Sequence, residues 1–264
     1  MAFYEEVFGM KVLRHEEFNQ GCEATCNGPY ARPWSKTMIG FASELDSFVF
    51  ELTYNYGIHS YKVGSDVRHV EVVMDAKWSP PRNWPVQTLD DCVVISGPDQ
   101  VIYRVRRGEG RPHIAQMSLN VSDVGRSKAF YVDTLGLVTK QPFSPHDGRI
   151  TVVWRSGDET GLELVASGEK VLHEEAFGRI AFSCPNVAPI AEKMAHFSGA
   201  SLKHGPVRLE TPGKATVEVV ILEDEDGYEI CFVEATGFDA LSAPMEGADV
   251  IDWNQRRDMG ADKA

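Results

Sequence analysis

The sequence predicts an α+β protein built from tandem strand–helix–strand–strand–strand (βαβββ) units, and three observations carry that prediction. Residues 48–74 read as strand, connector, strand. In FVFELTYN the apolar-facing Phe48, Phe50, Leu52 and Tyr54 alternate with Val49, Glu51, Thr53 and Asn55, and in VRHVEVV His69 and Glu71 alternate with Val70 and Val72. Alternation of period two marks half-buried strands. AFYEEVFGM at residues 2–10 recurs as AFYVDTLGL at residues 129–137, an internal repeat. GLELVAS at residues 161–167 is again a strand carrying an acid, with Glu163 where Glu51 stood. Four such units in two pairs give two curved, mixed sheets or one compact double cup.

In chain order, residues 2–9 form a helix closed by Gly9 as a left-handed cap. Its repeat copy is preceded by the strand HIAQMSLNVSD (113–123), whereas the first copy opens the chain. The first strand of the first unit is therefore expected to be missing, as in a shortened form or an incomplete gene model, leaving an open sheet edge suited to self-association. Residues 12–18 and 35–41 read as strands on either side of a Gly-, Cys-, Asn- and Pro-rich loop. KWSPPRNWP (77–85) is too rich in proline for a helix, and residues 92–107 form a hairpin around Gly97, Pro98 and Asp99. After a short linker, the strand 113–123 leads into a helix capped by Ser122 or Asp123 and closed at Gly136. Strands at 150–156, 161–167 and 177–185, an amphipathic helix at 187–200 and a hairpin at 216–234 turning at 224–227 complete the pattern. The expected division is a first domain at 1–107, a second at 113–235 and an acidic tail at 236–264.

Composition narrows the partners. A net charge of −13 argues against nucleic acid or an anionic membrane surface. No apolar run reaches the ~18 residues of a membrane span. No secretory signal precedes the first helix. Cys22 and Cys26 lack a second cysteine pair to complete a zinc site, so free thiols and an intracellular location, cytoplasmic or mitochondrial, are expected. The partner expected is a small-molecule ligand. A carboxylate on one strand and an imidazole on the next make a metal or acid–base pair, or else a plain polar outer face.

ELTYNYG with the strand-borne His69 eighteen residues after Glu51, FYEEVFGMKVLR, LNVSDVGRSKAFYVDTLGL and DEDGYEI together resemble glyoxalase I and the vicinal oxygen chelate superfamily. The likeness runs from the start of the chain to about residue 235. It implies a divalent metal (Zn, Ni, Co, Fe or Mn) bound by a His or Gln on the first strand and a Glu on the last strand of paired units. Carried over residue by residue, the first unit offers Glu51, and the second His69 with Tyr103 in the Glu position. The third offers Gln116 and Glu163, and the fourth Arg179 and Cys231. If the second and third units share a cup, His69, Gln116 and Glu163 form the metal set, with Tyr103 fourth and Arg179 paired to Glu51 in the other cup. If the units pair sequentially, neither cup holds a convincing set. The resemblance also implies proton transfer on a small oxygenated or thiol-adduct substrate, with Glu163 as the base, or a ligand- or protein-binding member without catalysis. Asn55 stands where the family contacts glutathione, but Asn120 replaces an arginine that helps hold it, which argues against glutathione as cofactor.

Overall fold

The structure, a computed structural model, describes residues 1–243 apart from 90, 156, 158, 177, 195, 196, 198 and 212. Most of the expected tail, including Trp253 and Arg257, and His196 lie outside the described residues. Three sheets organise the rest. β1 (Lys11–Phe18), β2 (Trp34–Gly40) and β3 (Phe50–Asn55) form an antiparallel three-stranded sheet. The largest sheet has eight strands. Its first half contains β4 (Val67–Asp75), β5 (Val86–Thr88), β6 (Val93–Ser96) and β7 (Ile102–Gly108). Its second contains β8 (His113–Val121), β9 (Val138–Thr139), β10 (Arg149–Val153) and β11 (Gly161–Ala166). Their order is β5-β6-β7-β4-β8-β11-β10-β9. The last sheet is β12 (Arg179–Cys184), β15 (Glu229–Glu234), β14 (Val217–Glu223) and β13 (Ser201–Leu209), in that order.

The joint of the large sheet is the antiparallel pair β4–β8, with His69 opposite Ser118 and Glu71 opposite Gln116. The second and third units thus share one sheet. The hydrophobic cores group the units differently. Phe3, Tyr4, Val7 and Phe8 of the first unit pack with Val70, Val72, Val105 and Ile114. Leu119, Phe130, Tyr131 and Leu164 pack with Val220, Leu222 and Phe232 of the fourth unit. Each core therefore joins consecutive units, while the sheet crosses from one core to the next.

Local chemistry explains the elements. Both copies of the Ala-Phe-Tyr repeat wind as π-helix, at Tyr4–Phe8 and Ala129–Thr134, and end near glycines with positive φ, Gly9 at 68° and Gly136 at 87°. The second copy continues helix α1 (Val124–Lys128), whose first turn is capped by Asp123 accepting from the Arg126 N–H at 2.9 Å. The second unit has no helix among its described residues, because the Pro-rich 77–85 stretch cannot supply the N–H groups. Helix α2 (Ala188–Met194) falls inside the expected 187–200 span. Strands β5, β9 and β13 were not expected. The first two are short, and the sequence of β13, SLKHGPVRL, is mostly polar and carries a Gly and a Pro. Part of the expected tail is helix α3 (Ala235–Leu241), where Leu241 is buried and Phe238 packs on the fourth unit. Among the described residues no helix is long and apolar enough to cross a membrane.

The loop between β1 and β2 departs from expectation. Cys22 and Cys26, expected as free thiols, are joined as a disulfide with Cα atoms 5.4 Å apart. The chain turns back between them through the Thr25 N–H to Cys22 O bond. The loop is seated on the fourth unit: Ala24 is 1% exposed and packs with Val217, Val219 and Ile221.

Candidate functional site

Strand alternation sends two sets of side chains to opposite faces of the eight-stranded sheet. On β4, Val70, Val72 and Met74 enter the first core, which leaves His69 and Glu71 on the other face. On β8, Leu119 and Val121 enter the second core, leaving Gln116 and Ser118 with His69. Glu163 pairs across β11–β8 with Ser118, and Arg104 pairs across β7–β4 with Glu71. One row across the sheet therefore reads His69, Ser118, Glu163, and the next reads Arg104, Glu71, Gln116.

The site is partly shielded from water. His69 is 8% and Glu163 7% exposed. The Ser118 hydroxyl donates to Glu163 Oε2 at 2.6 Å, and Arg149 lies 3.6 Å from the other oxygen. Glu71 accepts from Arg106 at 2.6 Å and sits 4.0 Å from His69 Nε2. Burial lowers the His69 pKa, and the Arg104 guanidinium lowers it further, against the opposing pull of Glu163 and Glu71. The imidazole is thus kept neutral at pH 7, able to accept a proton or a hydrogen bond.

Tyr103 does not join these groups. It is 1% exposed in the first core, where its hydroxyl bonds to Asp99 at 2.8 Å and lies 3.0 Å from that of Tyr4. The register places Arg104 in the Glu position instead. A shift of one residue exchanges the two faces of a strand, and pairing with Glu71 on β4 sets Arg104, not Tyr103, on the face of His69. Ser118 was also missed, although it lies two residues beyond Gln116 and so on the same face.

Asn55 lies on another sheet, away from His69. It is 3% exposed and saturated by Asn27 and the Tyr61 hydroxyl. Glu51 does not pair with Arg179 as expected. It sits 3.8 Å from Lys36, its near neighbour on β2. Arg179 instead bonds the buried Glu229 on the adjacent strand, as well as Ala24 O and Thr25 Oγ1. Beside it, burial pushes the Cys231 thiol up to about 12, so it stays protonated. This second cup is filled by internal pairs. Two further histidines are held by internal bonds: His15 is buried and bonds Thr37 at 2.8 Å, and His173 is half-buried and bonds Asp66 at 3.1 Å.

A divalent ion requires three or four convergent donors. Among the described residues no group of three His, Cys, Asp or Glu is placed to hold one. His69 and Glu163 supply two donors and the Gln116 amide a third, while Arg104 stands in the fourth position. The set can bind an oxygen-bearing anion through Arg104 and Gln116. It can also accept a proton on Glu163 or His69.

Residues 123–241 match the family model for the glyoxalase domain-containing protein 4-like C-terminal domain. The chain is 41% identical over 244 residues to "Glyoxalase 1" of Caenorhabditis elegans, covering 91% of this chain and 85% of that protein. It is 39% identical over 269 residues to glyoxalase domain-containing protein 4 of Rattus norvegicus, covering 99% and 88%. The crystal structure of glyoxalase I from Zea mays superposes with a TM-score of 0.73 at 23% identity, covering 90% and 88%.

Proposed function

Since the chain belongs to the glyoxalase domain-containing protein 4 family of the vicinal oxygen chelate superfamily, we propose that its function rests on the polar face of the eight-stranded sheet. That face binds a small oxygen-rich molecule, such as a 2-oxoaldehyde or its thiol adduct, and supports at most slow proton transfer. The observation that carries this reading is the row His69, Ser118, Glu163 beside Arg104. Arg104 and Gln116 would bind the carbonyl or enolate oxygens, the neutral His69 would accept a hydrogen bond, and Glu163, oriented by Ser118, would move a proton between adjacent carbons. The second carboxylate on this face, Glu71, is held by Arg106 and lies one row away from Glu163, which supports a low rate.

These residues do not fit a tightly held divalent ion, because the guanidinium of Arg104 occupies the fourth position and opposes a second positive charge. A metalloenzyme in which His69, Gln116 and Glu163 hold the ion is the competing reading. It is favoured by their placement on one face of three adjacent strands and by the neutral imidazole. Two measurements on the purified protein separate the two. Metal content after chelator treatment is expected to be well below one equivalent and unchanged in His69→Ala. Isotope exchange at the carbon next to the carbonyl of a methylglyoxal–thiol adduct is expected to be slow and lost in Glu163→Gln. One equivalent of retained metal that disappears in His69→Ala would establish the metalloenzyme. Exchange that is absent, or that survives Glu163→Gln, removes the catalytic part and leaves ligand binding.

A further inference from the structure

The loop between β1 and β2 closes a small covalent ring, and that ring sits on another unit. Cys22 and Cys26 are joined with their Cα atoms 5.4 Å apart, whereas Cys92, Cys184 and Cys231 are free. A link across three intervening residues constrains the unfolded chain little, so it adds little to global stability. What it holds is local. Thr25, inside the ring, has φ at 53°, a left-handed conformation that is costly for a β-branched residue. The seat of the ring is narrow. Ala24 is 1% exposed and packs with Val217, Val219 and Ile221, and Arg179 donates to Ala24 O and Thr25 Oγ1. The stem of the loop is held separately. Asn27 and Asn55 are bonded to each other in both directions, the Trp34 indole N–H donates to Gln20 O at 3.0 Å, and the Gly21 N–H donates to Ala31 O at 3.1 Å. Both cysteines are partly exposed, with Glu23 and Thr25 at the surface between them.

We propose that Cys22 and Cys26 form a reversible redox lock on a lid, residues 22–26, that covers an apolar face of the fourth unit's sheet. In the oxidised form the ring holds Ala24 on Val217, Val219 and Ile221. A dithiol reductant opens it by exchange. One thiolate attacks a sulfur of the pair, the bond between the two cysteines breaks, and the displaced cysteine thiolate takes up a proton. The second thiol of the reductant then attacks the mixed disulfide and releases the other cysteine. Two electrons pass from the reductant, which leaves as its own disulfide, and two cysteine thiols remain. Without the bond, Thr25 relaxes to negative φ, Ala24 leaves its seat, and the bonds from Arg179 to the lid are lost. The apolar patch and the outer N–H groups of Arg179 then face solvent, while Asn27, Trp34 and Gly21 keep the stem in place. Oxidation by a small disulfide reverses each step and shuts the lid. The lock acts on a different sheet from the one that carries His69 and Glu163.

The test equilibrates the full chain in buffers of graded reduced-to-oxidised dithiothreitol ratio, alkylates it and counts the blocked cysteines by mass spectrometry. Cys22 and Cys26 are expected to change together and reversibly, as a two-electron pair, with the global Tm shifted by no more than a few degrees. Hydrogen exchange within residues 22–26 should be at least tenfold faster in the reduced form, and a fluorescent dye for apolar surface should bind that form alone. The double variant Cys22→Ser/Cys26→Ser should behave as the reduced form at every ratio. A pair that stays reduced, or stays oxidised, at every ratio would overturn the proposal. So would a pair whose reduction unfolds the chain, or a reduced form with the exchange and dye binding of the oxidised one. Oxidised-like exchange and dye binding in the double variant would equally overturn it.

Discussion

The eight-stranded sheet and the separate three- and four-stranded sheets are built from the same repeat, and their difference lies in how the polar residues at matching positions are partnered. In the eight-stranded half, β4 and β8 pair back to back and bring His69, Gln116 and Glu163 onto one face. In the other half the polar residues of β12 and β3 find partners nearby. Arg179 takes Glu229 and the backbone of the Cys22–Cys26 loop, and Glu51 sits near Lys36. Lys203 also pairs with Glu229. A polar residue retained at a site position is therefore free to act only where the neighbouring strands leave it unsatisfied.

Four perturbations sharpen or break that contrast. The largest effect is expected in the cores. Leu164→Ala, at 0% exposure in the eight-stranded half, should cost about 2–5 kcal/mol by urea unfolding. Phe182→Ala on β12 removes more atoms but should cost less, because that ring is only half-buried. Equal costs would mean that β12 is as well packed as β11.

Second, Glu163→Gln should slow any proton exchange by about 100-fold or more, the usual contribution of a general base, while Glu51→Gln should leave it unchanged. An effect of Glu51→Gln of similar size would relocate the chemistry to the other half.

Third, stability should fall as pH rises through the range above 6. Burial alone would lower the His173 pKa, but the Asp66 carboxylate at 3.1 Å and the Asp226 carbonyl at 2.8 Å raise it overall. A raised folded pKa contributes stability that is fully present below the ordinary His value of about 6.5 and is lost as pH rises through the folded value. Asp224 acts in the same direction: burial lifts its carboxyl to about 6, so its ionisation in the folded state lowers stability between about pH 4 and 6. His173→Gln should flatten the upper part of this slope and cost about 1–2 kcal/mol at pH 5.5, from the bonds it loses. A Tm that is level from pH 5 to 8 would exclude the network between the two halves.

The smallest expected effect is spectroscopic. Arg104→Gln should raise the His69 pKa in an NMR titration, since the guanidinium opposes the imidazolium. No change would mean that Arg104 does not face the site.

Much of this was legible from residue order alone. Alternation found β1 to β4, β6 to β8, β10 to β12, β14 and β15, because each carries a run with one apolar face. The Ala-Phe-Tyr repeat located both π-helical turns, and glycines with positive φ ended them. The type of residue at each candidate site position was also local information, with His69, Gln116 and Glu163 each marked by its own strand. What the sequence could not decide were relations between strands. Tyr103 or Arg104 in the fourth position turns on a one-residue register, and both choices satisfy alternation of period two. The partner of Arg179 turns on which chain segment passes nearest, and Glu229 on the adjacent strand outcompeted Glu51 on another sheet. Hydrophobic patterning depends on neighbours a few residues away and so is written into the chain. Which edge meets which, and which polar group is left unpaired, depends on contacts between segments up to 162 residues apart, and only the folded structure sets those.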